Sequence, residues 1–237
     1  MAKLSGKEII RQNELGTIFI SDFDDTRVGP NSYDLSLSDE FMEYILPSNN
    51  TAIYNDILYQ NISMSRDDKD IVLNSMDTGD ITTIIPKGNA KECCRWNEET
   101  NEYDTDIYHD FLDMKKDNQA VKYNISEDGF ILYPGRFYLA RTKERTVTNG
   151  FVPCIEGRSS IARLGITVHI TAGFGDNGCD GYWTLEMKVE HPIKIYPGTR
   201  ICQIYYDTID GDASIVYEGK YTGNDSVQSS RLYKDFE

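Results

Sequence analysis

The densest run of chemically capable side chains is Glu156-Gly157-Arg158-Ser159-Ser160-Ile161-Ala162-Arg163-Leu164-Gly165. Two guanidinium forks and two hydroxyls beside a glycine suit a phosphate-like anion, because arginine presents paired N–H donors and serine an O–H to phosphate oxygens. The same spacing also fits a short helix capped by Ser159 with arginines on its surface, and spacing alone leaves both readings open. Downstream, His169-Ile170-Thr171-Ala172-Gly173-Phe174-Gly175-Asp176 reads as a strand entering a glycine-rich turn that carries one acid. Glu186 follows inside the apolar run Tyr182-Trp183-Thr184-Leu185-Glu186-Met187. Alternation along a strand sends such a carboxylate to solvent; an inward one is placed for proton shuttling, and the pattern does not fix the face. Other chemistries lack their residues. There is no Cys-x-x-Cys, and none of His109, His169 and His191 opens a His-x-Glu, so the zinc-deaminase signature is missing. No phosphate-binding G-x-x-x-x-G-K-[ST] loop and no G-x-S-x-G elbow occurs.

These residues need a scaffold, and the texture of the chain indicates a β one. Residues 4 to 15 place Leu4, Ile9, Ile10 and Leu15 among polar residues, with Ser5 three before Glu8, which predicts a short amphipathic helix ended by Gly16. Short apolar runs then alternate with Gly, Pro, Asn and Asp: 17–20, 81–85, 130–133, 166–170, 182–189, 193–196 and 201–206. Many short strands with turns between them indicate an all-β sandwich or barrel. At 237 residues the chain is one large domain or one domain with an insertion. The stretch 92–117 carries nine acids against Arg95, Lys115 and Lys116 and reads as a solvated insertion, in which Phe111, Leu112 and Met114 either pin a short helix to the body or ride on a mobile surface excursion. From Gly219 onward the chain is small and polar, a flexible tail unless it closes over a ligand.

Composition narrows the partners. Apolar residues at 39% and aromatics at 11%, spread along the chain, support a folded core. Lys+Arg 24 against Asp+Glu 39 gives a net charge of −15, which repels nucleic-acid backbones and anionic membranes. Cys93, Cys94, Cys154, Cys179 and Cys202 are odd in number and scattered, as expected of a reducing cytoplasm. No apolar run approaches the roughly 18 residues of a membrane span, and the first residues lack a signal-like apolar stretch.

Glu-Gly-Arg-Ser-Ser-Ile-Ala-Arg-Leu-Gly-Ile at 156–166, His-Ile-Thr-Ala-Gly-Phe at 169–174 and Thr-Leu-Glu at 184–186 resemble the dCTP deaminase branch of the dUTPase superfamily. Further segments resemble the family in family order: 29–37, Tyr-Pro-Gly at 133–135, 197–204 and Gly-Lys-Tyr at 219–221, leaving only about 45–128 outside as an insertion. The resemblance implies a single domain over 1–237 with a distorted jelly-roll or β-barrel fold of the dUTPase-like (β-clip) type. It also implies a homotrimer with active sites at subunit interfaces and a C-terminal lid at about 219–237. By the family pattern Glu186 is the general base for water attacking C4 of cytosine, Ser159 and the backbone around Ala172 hold that water, and Arg163 orients Glu186. Arg158, Ser160, Tyr217 and Lys220 match triphosphate-binding positions, Mg²⁺ arrives with the nucleotide, and no zinc is implied. Ile170 and Thr171 would contact the pyrimidine edge and Asp176 the deoxyribose 3′-hydroxyl; inhibition by dTTP stays open, and His169, at a position linked to feedback control in relatives, reads equally as a structural histidine.

The chain departs from the pattern in places. Gly175 stands where the family has Ile and Cys179 where it has an aromatic, leaving space that Tyr182 or Trp183 would fill; Asn224 stands for a phosphate-contacting glutamine and Ser226 for a glycine. The leading expectation is deamination of dCTP to dUTP and ammonia. The alternative is a bifunctional enzyme giving dUMP and pyrophosphate, which the 171–176 turn resembles more; a silent nucleotide-sensing trimer stands third.

Overall fold

In the computed structural model of the chain, residues 2–44 and 111–237 are described throughout, together with the backbone of four short strands between them. The first helix, α1 (Gly6–Glu14), starts at Ser5, whose Oγ accepts from the Glu8 amide at 3.3 Å. Only half of the expected capping box forms, because the Glu8 carboxylate bonds Arg11 and Gln12, contacts that draw its pKa down to about 2. The helix ends at Leu15, ahead of Gly16.

The rest is mainly β. In chain order the strands are β1 (Ile18–Ile20), β2 (Tyr33–Tyr44), β3 (Val72–Leu73), β4 (Ile84–Ile85), β5 (Trp96–Asn97), β6 (Glu102–Tyr103), β7 (Ala120–Asn124), β8 (Phe130–Leu132), β9 (Tyr138–Thr148), β10 (Phe151–Gly157), β11 (Ile166–Thr167), β12 (Asp180–Val189), β13 (Ile193–Ile195) and β14 (Arg200–Thr208). A four-residue helix, α2 (Ser159–Ala162), separates β10 from β11. The principal sheet runs β10-β14-β2-β9-β12-β11, with β1 also on β9. Phe41, Phe130, Tyr138, Leu185, Met187, Ile204 and Tyr206 fill the core beneath it.

Two compact units divide the chain. The first comprises Met1–Phe41 and Ser126–Gln228, the second Met42–Ile125 and Ser229–Glu237. Within the second, β3 pairs with β4 and β5 with β6, the buried Tyr123 hydroxyl donates to Glu43 at 2.6 Å, and the Ser230 amide donates to the Tyr44 hydroxyl. Of the two readings of the stretch around Phe111, Leu112 and Met114, the short helix does not form: these side chains are exposed, and Asp113 and Asn118 close a turn. Residues 81–83, most of the acidic stretch before 111, and Cys93, Cys94 and His109 lie outside the described residues.

Two local expectations change. Ser159 is the first helical residue and caps nothing; Arg158 holds the N-cap position without a side-chain capping bond. The run 166–170 is a strand only over Ile166–Thr167. Beyond it the Glu186 amide donates to the Val168 carbonyl, and the Ile170 amide turns to the Glu186 side chain rather than to a strand neighbour. Among the described residues no helix is long and apolar enough to cross a membrane.

Candidate active site

All candidate residues lie in the first unit. Strand β12 pairs with β9, setting Glu186 opposite Leu139, while Leu185 and Met187 on either side are buried in the core. Glu186 is half-buried. Its Oε2 accepts the Ile170 backbone N–H at 2.9 Å, and among the described residues Oε1 takes no hydrogen bond. One oxygen therefore fixes the carboxylate while the other is left to accept a proton from water, an arrangement suited to general-base work.

The turn that holds Glu186 is itself fixed. The Ile155 amide donates to the Gly173 carbonyl at 2.7 Å and the Gly175 amide to the Pro153 carbonyl at 2.8 Å, so 173–175 runs beside β10. Ile170, Thr171 and Ala172 project as an exposed rim, as does Asp176, whose carbonyl accepts the Cys179 amide. The space left by Gly175 is occupied by Trp183: a Cβ at 175 would lie 2.6 Å from Trp183 Cη2. The indole is held by its Nε1–H donating to Thr146 Oγ1 at 3.0 Å. Of the two residues expected to fill that space, Trp183 does so.

Ser159, Ser160 and Arg163 are exposed along α2 and its end. The chain does not bring Arg163 to Glu186 as an ion pair; among the described residues its guanidinium has no partner. Arg158 is the more ordered arginine, with Nε 3.0 Å from Asp34 Oδ1 and Nη1 donating to the Arg200 carbonyl at 2.9 Å.

The tail returns to the same strand. The Tyr217 amide donates to the Asn177 carbonyl at 2.7 Å, its hydroxyl accepts the Tyr221 amide, and Lys220 is half-buried nearby in sequence. Asn224 is fully engaged by backbone: its Oδ1 accepts the Tyr182 amide at 2.8 Å and its Nδ2 donates to the Tyr182 carbonyl at 3.0 Å. The structure thus places Asn224 as a strand-like clamp on β12. Val227 and Gln228 extend the seam by donating to Glu40 Oε1 and Thr184 Oγ1.

Sequence reading missed several partners. Asp34 and Arg200 flank Arg158, and Gln203 bridges Ser32 Oγ to the Gly157 carbonyl. Asn177, buried, ties the Gly150 amide to the Ala213 and Ile215 carbonyls; its place in the Asp-Asn-Gly turn at 176–178 was the available signal. Among the described residues no group of three or more His, Cys, Asp or Glu side chains is gathered to hold a metal ion.

A family model described as dCTP deaminase-like matches residues 95–209. The "dCTP deaminase, dUMP-forming" of Hathewaya histolytica is 40% identical over 235 residues, 99% of each chain. That of Clostridium botulinum (strain Alaska E43 / Type E3) is 55% identical over 129 residues, 54% of this chain and 75% of that protein. The crystal structure of 2'-deoxycytidine 5'-triphosphate deaminase from Agrobacterium tumefaciens superposes with a TM-score of 0.48 at 15% identity over 87% of this chain, which spans 47% of that one.

Proposed function

The chain belongs to the dCTP deaminase-like family, and on that footing we propose that it converts dCTP and two waters to dUMP, pyrophosphate and ammonia. Relatives matched over 99% of the chain at 40% identity and over 54% of it at 55% identity are named dUMP-forming, which supports the bifunctional product over release of dUTP. The observation that carries the reading is the Glu186 carboxylate, held by one oxygen on the Ile170 amide and open at the other.

In the deamination step water adds across the C4–N3 bond of cytosine, Oε1 of Glu186 taking one water proton and delivering it to N3; the remaining hydroxyl proton then passes through the same carboxylate to the amino nitrogen, the C4–N bond breaks, ammonia leaves and C4 becomes the uracil carbonyl. Ser159 and the backbone near Ala172 would hold that water, and Ile170 and Thr171 would meet the base edge. A second water attacks the α-phosphorus and pyrophosphate leaves. Arg158, Ser160, Tyr217 and Lys220 would hold the phosphates, with Asp176 at the sugar. Mg²⁺ would arrive as a passenger on the triphosphate and, bound there, would shield the phosphate charge. Arg163 is exposed, as are the apolar Leu164, Ile170 and Phe174 at 50, 47 and 64%, and a homotrimer in which a neighbour supplies Arg163 would cover that apolar surface and complete the site. Inhibition by dTTP and a cytoplasmic setting belong to the same proposal.

The test is incubation with dCTP and Mg²⁺, resolving dUMP, dUTP, pyrophosphate and ammonia. Stoichiometric dUMP and pyrophosphate with no dUTP build-up is expected, and E186Q should lose at least about a thousandfold in rate, two proton transfers each contributing roughly 10²–10⁴. Accumulating dUTP would restore the single-step deaminase. No turnover would overturn the enzyme reading.

A further inference from the structure

Strand β14 contains an irregularity that the core does not require. Simple alternation would turn Arg200 inward with Cys202 and Ile204, which are buried. Instead the pairing of β14 with β2 shifts register between Arg200 and Cys202, Ile201 takes the inward place, and Arg200 comes out half-exposed opposite Ser36. A bulge of this kind re-aims a side chain, and bulges are over-represented at sheet edges, barrel rims and next to active sites. Here it aims Arg200 at Asp34, the carboxylate that already holds Arg158.

The three charges are unequally satisfied. Arg158 Nε lies 3.0 Å from Asp34 Oδ1, whereas Arg200 Nη1 stands 3.7 Å from Asp34 Oδ2, attracted but beyond hydrogen-bond reach. Among the described residues neither Arg158 Nη2 nor any guanidinium N–H of Arg200 has an acceptor. Two cations share one carboxylate here, and Asp24 also acts electrostatically on Arg200. Glu156, the acid in the adjacent row, faces His169 Nε2 at 3.7 Å. Gln203, opposite Asp34, ties Ser32 to Gly157 and so fixes the backbone from which Arg158 springs.

We propose that Arg200 is a second cation for the phosphates of the substrate, and that Asp34 is a positioning residue that holds Arg158 and Arg200 side by side before an anion arrives. The inference rests on the reading of Arg158 as a triphosphate contact. A triphosphate spreads its charge over several oxygens, and two forks around one carboxylate present N–H groups to more than one of them.

The test uses full-length protein, with Mg²⁺-pyrophosphate binding by calorimetry as the probe and dCTP kinetics beside it. R200Q should weaken pyrophosphate binding and raise KM for dCTP about tenfold, a half-exposed charge-assisted contact, with kcat within about twofold. R200K should recover most of the loss by restoring the charge. D34N should raise KM several-fold by releasing both forks, with Tm close to that of the wild type. R200Q with wild-type pyrophosphate binding and KM overturns the inference, as does a fall in kcat at unchanged KM. Wild-type protein whose pyrophosphate binding depends on Arg200 but which does not turn over dCTP would overturn the reaction and leave the anion site standing; protein that binds neither overturns both.

Discussion

Asn224 offers the sharpest test of how the tail is held. Its side-chain amide closes both backbone groups of Tyr182, at 2.8 and 3.0 Å, and Gly181 makes room for it: at φ 139°, a Cβ on residue 181 would fall 1.8 Å from Asn224 Oδ1. Removing the amide in N224A costs two neutral hydrogen bonds, each contributing about 0.5–1.5 kcal/mol net. Tyr182 is half-buried, so water replaces part of the loss, and about 1–2 kcal/mol should remain, a roughly 5–30-fold rise in the open tail population. The bonds from Gly223 to Asp180 and from Gln228 to Thr184 survive, so the tail should fray rather than detach. Hydrogen exchange and limited proteolysis at 219–228 read the opening, and KM for dCTP reads its consequence. G181A should open the tail by the same route, through collision and backbone strain. N224Q separates the two roles: a phosphate contact is restored by glutamine, whereas a clamp in register with Tyr182 is disturbed by the extra methylene. Wild-type tail protection in N224A would refute the clamp.

Three other outcomes follow from contacts elsewhere in the first unit. Glu144, buried, accepts from Arg27 Nη1 at 2.6 Å and the Ser36 amide at 2.7 Å, so E144A should cost about 3 kcal/mol by stranding Arg27, seen as a Tm fall of roughly 6–12 °C; a fall under about 2 °C would contradict it. G175I drives a side chain into Trp183 and Pro153 and should cost about 1–3 kcal/mol, part of it regained in G175I/W183V; strictly additive denaturation midpoints would sink the shared-space argument. Burial raises the pKa of Cys179 to about 11 and pushes Cys154, Cys202, Tyr33 and Tyr206 upward as well. The folded state thus favours the protonated forms, so their contribution is complete below about pH 8.5 and is lost as pH climbs towards 11. Urea midpoints should therefore drop between pH 8.5 and 10.5, and a flat profile would refute the assignment.

The β class was legible because apolar runs such as 182–189 and 201–206 alternate with turn residues, and helix α1 because Ser5 and Gly16 bracket an amphipathic stretch. Strand β9 gave no such signal, although it is the second longest and pairs with both β1 and β12. The reason is chemical. Its inward positions include Thr142, Glu144, Thr146 and Thr148, all buried, so the period of two is present in burial but absent in hydropathy. Three of those polar groups are tolerated inside because they have partners, Thr142 and Thr146 taking the amide and indole N–H of Trp183 and Glu144 taking Arg27, whereas Thr148 Oγ1 is buried without a hydrogen bond among the described residues. A pattern rule that equates inward with apolar fails on such a strand.

The site divides along the same line between local and non-local information. Arg158, Ser159, Ser160 and Arg163 were legible because they are contiguous, and a contiguous run keeps its chemistry whatever the fold around it. Asp34 and Arg200 were not, because they meet Arg158 only through the register of three strands, Glu156 opposite Gln203 and Gln203 opposite Asp34, and through a bulge that reverses the facing of Arg200. Strand β12 has a comparable shift between Tyr182 and Thr184, the two residues against which the tail lies. Neither shift changes composition or spacing, yet one turns Arg200 from the core towards Asp34 and the other lies where the tail meets β12. If Arg200 and the tail meet the phosphates as proposed, these irregular places are the ones at which substitution should separate binding from stability.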